Sequence, residues 1–195
     1  MIQINNNMDL QEQFEFFLQK ENSMRMPEFL NELNISDVGL LIEDNKEHAT
    51  EIMSELSIHR AASTFKIIEL GVQKDIIQEL PPLKTAALLN ELPADDRTSF
   101  LEELSTNAVR ELIKLLNPEE RKITLSLLGY PEGSVGRLMT PDYIAVQSDW
   151  TISEVLEYIR EVGQESETID VIYVINDQGQ LLDDVRIKEF LLSPP

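Results

Sequence analysis

The chain has 195 residues, of which 36 are Asp or Glu and 16 are Lys or Arg, so its formal net charge is −20. A hydrophobic content of 42% is enough to build a core and excludes a disordered tail. The acidity excludes a sequence-independent nucleic-acid binder, and the absence of cysteine excludes a disulfide framework, a thiolate metal site and a cysteine nucleophile.

No stretch of the sequence is apolar enough to cross a membrane. A spanning helix needs about 20 mostly apolar residues, whereas the longest uninterrupted apolar run is Val171–Ile175. Residues 1–7 lack the basic and apolar regions of a secretion signal. We therefore expect the chain to be made and kept in the cytoplasm.

A twelve-residue spacing of apolar residues fills the first two thirds of the chain. The first register consists of Leu56, Ile68, Leu80, Leu92, Leu104, Leu116 and Leu128. The second register, nine residues after each of the first six, consists of Phe65, Ile77, Leu89, Leu101, Ile113 and Leu125. This spacing predicts short helices of about two turns, which must stack on their neighbours because such helices are unstable alone.

Turn-forming residues follow the same phase. The residues directly after the repeat leucines include Ser57, Pro81, Pro93, Ser105 and Asn117. Asn117 is predicted to cap a helix that has Pro118 in its first turn, with a glutamate carboxylate reaching back to the cap. Upstream, residues 10–20 and 27–33 are also predicted to be helical, but out of phase with the repeat.

The last third of the chain has a different pattern. The predicted elements are a strand at 143–146, a helix from a capping box at Thr151 to Gly163, a buried strand at 169–175, a turn at 176–179, a strand at 181–185 and a helix at 188–192. This segment of about 60 residues is too small to bury much surface alone. We therefore expect it to pair with a second copy.

The segment Gly136-Arg137-Leu138-Met139-Thr140-Pro141-Asp142-Tyr143 resembles the joint between the N-terminal domain and the first CBS domain of magnesium transporters of the MgtE family. Residues 92–97 and 116–121 resemble units of the helical superhelix of that family, and residues 168–179 resemble the core strand and hairpin of a CBS module. The resemblance covers essentially the whole chain.

The predicted fold class is α followed by α/β. We expect a right- or left-handed superhelix of short helices over residues 1–129, a linker over 130–136 and one CBS-type β-α-β-β-α domain over 137–195. Family members continue with a second CBS domain, a connecting helix and five membrane helices that form the pore. The resemblance thus implies a chain truncated before those segments.

The same resemblance implies a regulatory function. The chain would be the Mg²⁺-sensing part of a magnesium transporter, at the cytoplasmic face of the membrane, with Mg²⁺ as cofactor. Its partners would be the second CBS domain and the pore of the parent protein, and it would form a homodimer. In the family, bound Mg²⁺ locks the cytosolic domains closed and the pore shuts. Nucleic acid is not an expected partner.

Both predicted domains are acidic. Residues 1–129 carry 23 acids and 12 bases, and residues 130–195 carry 13 acids and 4 bases. Facing surfaces of like charge repel until cations lie between them, and Mg²⁺ needs only one or two carboxylates because it keeps most of its waters. A purely solubilising acidic surface would give the same composition.

Three carboxylates are the metal candidates. Asp95 and Asp96 match by position an acidic pair that, in the family, faces the CBS region near a metal. Glu132, in the joining segment, is the third candidate. The pair also lies at a predicted helix N-terminus, where carboxylates complement the helix dipole without any metal.

No other motif carries chemistry. His48 and His59 lack a third ligand at zinc spacing and are predicted to be surface or packing residues, and Trp150 is predicted to be a packing anchor. No phosphate loop, nucleophile elbow or HExxH motif occurs, and the Asn176–Gly179 turn lacks the other ligands of a calcium loop. Nothing predicts an enzyme.

Two alternatives stay open. A helical-repeat interaction scaffold, of the kind found in the flagellar motor switch protein, would be expected to continue with helices rather than strands. An adenine-nucleotide sensor would act through the CBS pocket. However, Asp183 and Asp184 stand where CBS domains usually place a glycine and an apolar residue, which argues against carrying the nucleotide pocket over.

Overall fold

The structure is a computed structural model that describes residues 9–19, 23–131, 133–163, 166 and 168–193. The chain divides into two compact units. The helical unit comprises residues 1–92 and 96–129, and the sheet unit comprises residues 93–95 and 130–195. The predicted order of short helices followed by a small α/β fold is confirmed. Within the described ranges, every helix is too short or too polar to traverse a bilayer.

The first two thirds of the chain are built from short helices joined by tight turns. Their bounds are α1 (Leu10–Leu18), α2 (Met26–Glu32), α3 (Ile35–Asp44), α4 (Ala49–Glu55), α5 (Ile58–Phe65), α6 (Leu70–Glu79), α7 (Pro82–Glu91), α8 (Ala94–Glu102), α9 (Thr106–Leu115) and α10 (Pro118–Leu128). Single turns of 3₁₀ helix lie at Ser23–Arg25 and Lys46–His48.

The repeat leucines lie where helices end. Leu56, Leu80, Leu92 and Leu116 are the C-cap residues of α4, α6, α7 and α9, and each has an extended backbone. Their side chains are between 3% and 8% exposed. The same residue therefore stops a helix and fills the core, which is why the spacing stays constant across the turns.

The helices pack against their second-next neighbours. Contacts join α3 to α5, α5 to α7, α7 to α9, and α4 to α6. One continuous apolar core runs through this stack, from Phe14 to Leu116. Leu125, predicted as a member of the second register, is 52% exposed, because α10 is the last helix of the helical unit and no later helix of that unit covers it.

The helix caps follow the predicted phase but differ in detail. The side chain of Asn117 accepts a hydrogen bond from the Glu120 amide at 2.9 Å, and that of Ser105 accepts one from Ala108 at 3.4 Å. The side chain of Ser57 makes no cap bond. The Glu120 carboxylate does not reach back to the cap; it pairs with Arg97 instead.

The sheet unit contains three strands and three helices within its described residues. Their bounds are α11 (Val135–Leu138), β1 (Ala145–Gln147), α12 (Ile152–Val162), β2 (Val171–Ile175), β3 (Leu181–Arg186) and α13 (Ile187–Leu192). The central strand β2 runs parallel to β1 and antiparallel to β3. The β2–β3 turn depends on Gly179, whose φ of +74° is the left-handed conformation that glycine adopts readily.

Helix α12 begins with the predicted capping box. The Thr151 hydroxyl accepts a hydrogen bond from the Glu154 amide, and the Glu154 carboxylate accepts one from the Thr151 amide. Val155 and Ile159 of this helix are buried. The small core consists of Ile144, Val146, Val155, Ile159, Ile172 and Phe190. The segment 169–175, predicted to be a buried strand, is buried only at Ile172, since the helices cover one face of this three-stranded sheet.

Candidate functional site

The carboxylate pair Asp95–Asp96 lies in the first turn of α8. Leu92 ends α7 with an extended backbone at φ −63° and ψ 139°, Pro93 follows, and α8 begins at Ala94. Asp95 and Asp96 are thus the second and third residues of that helix. The unpaired amides of a helix N-terminus stabilise carboxylates at these positions.

The next residue, Arg97, anchors this turn. Its side chain is fully buried. Its Nη1 donates to the carbonyl oxygens of Leu89 and Leu92, both at 3.0 Å, and its Nε donates to Thr124 Oγ1 at 2.8 Å. Its Nη2 pairs with the Glu120 carboxylate. These bonds join the end of α7, the start of α8 and the face of α10, so they fix the backbone that carries the pair.

Asp96 is paired with a lysine from another helix. Its Oδ2 lies 2.8 Å from Nζ of Lys66, and each side chain is about one third exposed, 33% and 34% respectively. Lys66 is the C-cap residue of α5. Lys66 and Asp96 both line a groove of about 270 Å³, which is also lined by Ser99 and Glu103. The Asp96 carboxylate therefore already attracts one cation.

Asp95 differs from Asp96 in its hydrogen bonding. It is partly exposed, but its Oδ1 is shielded from solvent and has no hydrogen-bond partner among the described residues. Glu132, the third predicted metal residue, lies outside the described residues.

Each of the two histidines lies beside a glutamate. Nδ1 of His48 lies 3.1 Å from Glu51, and Nδ1 of His59 lies 3.2 Å from Glu91. Across the described ranges, no group of three or more His, Asp or Glu side chains is arranged to hold a metal ion by protein ligands alone. Any ion at Asp95–Asp96 would therefore keep water in much of its coordination sphere.

A second groove lies on the sheet unit, along α12. Trp150 and Tyr158 meet edge to face with ring centroids 5.2 Å apart. Together with Glu154, Glu157 and Glu161 they line a shallow space of about 370 Å³. The pKa of Glu154 is lowered because the backbone amide and the hydroxyl of Thr151 both donate to its carboxylate. Three carboxylates give this groove a negative potential, which repels phosphate groups that carry no cation.

The aspartates that depart from the family pattern lie on β3. Asp183 and Asp184 are exposed and pair across the sheet with Val174 and Tyr173. The Asp184 amide donates to the Asp183 carboxylate at 2.9 Å. Neither residue has a cationic partner in the ion pairs seen along the described chain.

Sequence reasoning missed Lys66 and Arg97. Lys66 follows α5 whereas Asp96 belongs to α8, and no local pattern joins the two. A signal did exist for Arg97, because Arg121 follows it at an interval of two repeat lengths. An arginine recurring in the phase of the repeat indicates a structural position rather than a solvent-exposed one.

Comparison with known proteins gives two family matches. Residues 28–133, more than half of the chain, match the family described as MgtE intracellular N domain. Residues 135–192 match the CBS domain family.

Relatives of the whole chain are magnesium transporters named MgtE. The Thermus thermophilus protein is 29% identical over 182 residues, covering 91% of this chain and 40% of that protein. The Bacillus subtilis protein is 23% identical over 167 residues, covering 85% and 37%. The chain therefore spans about two fifths of the length of these relatives.

Solved structures share the fold. The cytosolic domain of the Mg²⁺ channel MgtE in complex with ATP superposes with a TM-score of 0.87 at 28% identity, covering 93% of this chain and 75% of that one. The soluble part of a magnesium transporter superposes with a TM-score of 0.83 at 23% identity, covering 95% and 75%.

Proposed function

The chain belongs to the MgtE family, and on that premise we propose that it is the Mg²⁺-responsive regulatory part of a magnesium transporter, at the cytoplasmic face of the membrane. Residues 1–129 would be the MgtE-type helical domain, residues 130–136 the linker and residues 137–195 the first CBS domain. The chain has no transport activity of its own in this proposal, since its relatives are more than twice as long.

The proposed mechanism is electrostatic. The two domains carry net charges of −11 (23 acids, 12 bases) and −9 (13 acids, 4 bases), so they repel each other. Mg²⁺ bound to their carboxylates lowers that repulsion and favours a closed state. When Mg²⁺ falls, the ions leave, the domains separate, and the change is passed to the pore of the parent protein.

Several weak sites serve such a sensor better than one strong site. An ion present at its Kd stabilises the bound state by about 0.4 kcal/mol, and at tenfold excess by about 1.4 kcal/mol. A switch from 1:99 to 99:1 needs about 5.5 kcal/mol. A few sites that fill together over the same concentration range supply this, and the response is then steep.

The proposal places one of these sites at Asp95 and Asp96. The main supporting observation is the state of the two carboxylates: Asp96 already holds an ammonium group at 2.8 Å, and Asp95 has a shielded oxygen with no donor among the described residues. Mg²⁺ suits such a site because it binds through one or two carboxylates and retains its waters. Glu132 is kept as a further candidate ligand on its position in the sequence.

The test compares the chain with the variant Asp95→Asn/Asp96→Asn. Small-angle scattering and limited proteolysis, in chelator and in millimolar MgCl₂ at constant ionic strength, report compaction. We expect Mg²⁺ to reduce the radius of gyration and to slow cleavage in the original chain, and the variant to lose most of this response. Glu111→Gln, which removes an exposed carboxylate 2.6 Å from Lys114, is the matched control and should respond fully. An unchanged response in the double variant would exclude the pair.

The sheet unit also exposes four leucines, and burying them would favour a protein partner. Leu181 and Leu182 on β3 are 63% and 55% exposed, and Leu191 and Leu192 on α13 are 64% and 75% exposed. The occupant we propose is another CBS module: the second CBS domain in the parent protein and, without it, a second copy of this chain. Sedimentation equilibrium should show a dimer that Leu182→Glu disrupts; a monomer at all concentrations would contradict this.

A second candidate function is adenine-nucleotide binding by the CBS domain. The observation that favours it is the ATP complex of a related cytosolic domain at 28% identity. Against it stand the acidic α12 groove and the exposed Asp183 and Asp184. Calorimetry with ATP and AMP, each with and without Mg²⁺, separates the two functions, because nucleotide binding without a Mg²⁺ effect would favour the second.

A further inference from the structure

We propose that Asp183 and Asp184 close the free edge of the three-stranded sheet, so that a second copy of the chain cannot add its own β3 there. β3 lies at one end of the strand order β1–β2–β3, and no further strand pairs with it among the described residues. It has six residues, against three in β1 at the opposite edge. An exposed edge strand of this length is a template for pairing with another chain.

Burial does not protect this edge. All four residues from Leu181 to Asp184 are exposed, and both leucines have more than half of their surface open to solvent. Exposed apolar side chains on an edge strand favour association, because pairing removes them from water. The edge therefore needs another feature that prevents a second strand from joining it.

The hydrogen bonds between β2 and β3 show which backbone groups face the free edge. The Ile187 amide donates to the Asp170 carbonyl at 3.0 Å, directly beyond the last register pair of the two strands. Hydrogen-bonded and non-hydrogen-bonded pairs alternate along an antiparallel ladder. Arg186 and Asp184, one and three residues before Ile187, therefore belong to non-hydrogen-bonded pairs. Their amides and carbonyls point away from β2, towards the free edge.

Asp183 occupies one of these outward groups. Its carboxylate accepts a hydrogen bond from the Asp184 amide at 2.9 Å. An added strand would need the same amide for its ladder, so it could pair there only after displacing the carboxylate. A side chain that binds the neighbouring backbone in this way competes with sheet formation.

The charges of the two aspartates also oppose self-pairing. Outward groups must face outward groups, so an antiparallel pair of β3 strands aligns even-numbered residues with even-numbered ones. The two central registers place either Asp183 or Asp184 directly opposite its own counterpart. Like charges directly opposite destabilise a strand pair. Neither carboxylate has a cationic partner in the ion pairs of the described residues to offset this repulsion.

This association differs from the leucine-mediated dimer proposed above. That dimer buries exposed side chains and leaves the backbone of β3 unpaired, whereas edge pairing would join two three-stranded sheets into one continuous sheet. The inference concerns how the chain avoids self-pairing, and it does not depend on the proposed Mg²⁺ response.

The test compares the full 195-residue chain with Asp183→Ala/Asp184→Ala by sedimentation velocity and hydrogen–deuterium exchange over a range of protein concentrations. The double variant should self-associate about tenfold more tightly, because it loses a like-charge contact and a competing hydrogen bond. Exchange at the amides of residues 184 and 186 should slow as its concentration rises, since edge pairing bonds both amides. Unchanged association, or association without slower exchange at residue 186, would overturn the inference.

Matched variants separate the edge from charge in general. Asp149→Ala/Asp177→Ala removes two exposed aspartates from turns of the same unit and should leave association unchanged; if it associates as tightly as the edge variant, lost charge alone is the cause and the inference fails. Far-UV circular dichroism checks folding. Asp183→Val/Asp184→Val, with residues that favour strands, replaces the alanine double variant if that one does not fold.

Single variants test the hydrogen bond itself. Asp183→Asn removes the charge but keeps a side-chain acceptor, whereas Asp183→Ala removes both. In dilute solution the amide of residue 184 should exchange as slowly in Asp183→Asn as in the original chain, and faster in Asp183→Ala. Equal exchange rates in the two single variants would contradict the proposal that the Asp183 side chain blocks this amide.

Discussion

Arg97 and Arg121 play the same structural role one helix pair apart. Arg97 donates to the carbonyl oxygens eight and five residues before it, those of Leu89 and Leu92. Arg121 donates to the carbonyl oxygens at the same offsets, those of Ile113 at 3.1 Å and Leu116 at 2.9 Å. Each guanidinium thereby satisfies carbonyls that the end of a helix leaves unpaired. The two sites differ in burial, since Arg97 is fully buried and Arg121 is only partly so.

Substituting these two arginines should therefore have unequal effects. Arg97→Met leaves two carbonyls and the Thr124 hydroxyl without a buried donor and removes the cation beside Glu120, so the free energy of unfolding should fall by about 3 kcal/mol. Arg121→Met should cost about 1 kcal/mol because water can reach its carbonyls. Urea denaturation followed by far-UV circular dichroism measures both, and equal losses would show that burial is not the deciding factor.

Asn90 should also contribute to the stability of the helical unit. Its side-chain amide donates to the carbonyl of Ala86 at 2.6 Å, and its side-chain carbonyl accepts from the Asn117 amide at 2.8 Å, which ties α7 to the turn before α10. Asn90→Ala should lower the free energy of unfolding by about 1–2 kcal/mol. Asn107→Ala, an exposed position on α9, is the control and should stay within about 0.5 kcal/mol. Equal urea midpoints for the two variants would disprove the role of Asn90.

The capping box of α12 should make stability depend on pH. Two hydrogen bonds from Thr151 lower the pKa of Glu154 below its usual 4.5. A group whose pKa is lowered on folding stabilises the fold above its unfolded pKa and loses that contribution as the pH falls through the folded value. The stability difference between the chain and Glu154→Gln should thus be constant near neutrality and shrink below about pH 4.5.

Denaturation curves between about pH 6 and 3 test this expectation. Glu157→Gln, which removes a carboxylate of the same helix outside the capping box, is the control and should retain the pH profile of the original chain. If Glu154→Gln also retains that profile, the hydrogen bonds from Thr151 to Glu154 are not the cause of the pH dependence.

Alanine substitutions at Gly136 and at Gly71 should change the free energy of unfolding in opposite directions. A Cβ at Gly136 would lie 2.5 Å from Cγ of the Tyr130 ring, whereas a Cβ at Gly71, on α6, would meet nothing within 4 Å. Gly136→Ala should cost about 1–2 kcal/mol through overpacking, and Gly71→Ala should gain about 0.5 kcal/mol through helix propensity. Thermal denaturation of the double variant Tyr130→Ala/Gly136→Ala checks the cause, because removing the ring should cancel most of the loss at position 136. A full loss in the double variant would refute it.

The repeat architecture could be predicted because one residue type serves two local purposes. Leu56, Leu80, Leu92 and Leu116 each mark both the end of a helix and a core position. Leu125 belongs to the second register but is exposed, because burial at this register depends on which helix comes two places later, and α10 has no such successor in its unit. The burial of β2 was overestimated for a similar reason: an apolar run does not reveal that helices cover only one face of the sheet.

The candidate site could be predicted only in part. The carboxylates of Asp95 and Asp96 are visible in the sequence, and their position in the first turn of α8 agrees with the proline and the repeat phase before them. The ammonium group that neutralises Asp96 comes from the end of α5, far from α8 in the sequence, so the charge state of the site follows from tertiary packing alone. The burial of Arg97 could have been predicted from the recurrence of arginine at position 121, two repeat lengths later, although arginine is ordinarily exposed.

The packing of α3 on α5, of α5 on α7 and of α7 on α9 has a consequence for how the chain is made. The first residues of α5, α7 and α9 are Ile58, Pro82 and Thr106, so contacting helices start only two repeat lengths apart. Each helix can meet its partner soon after it leaves the ribosome, and the stack can grow from its amino-terminal end during translation. An acidic array assembled in this way would not have to wait for later parts of the chain before it begins to fold.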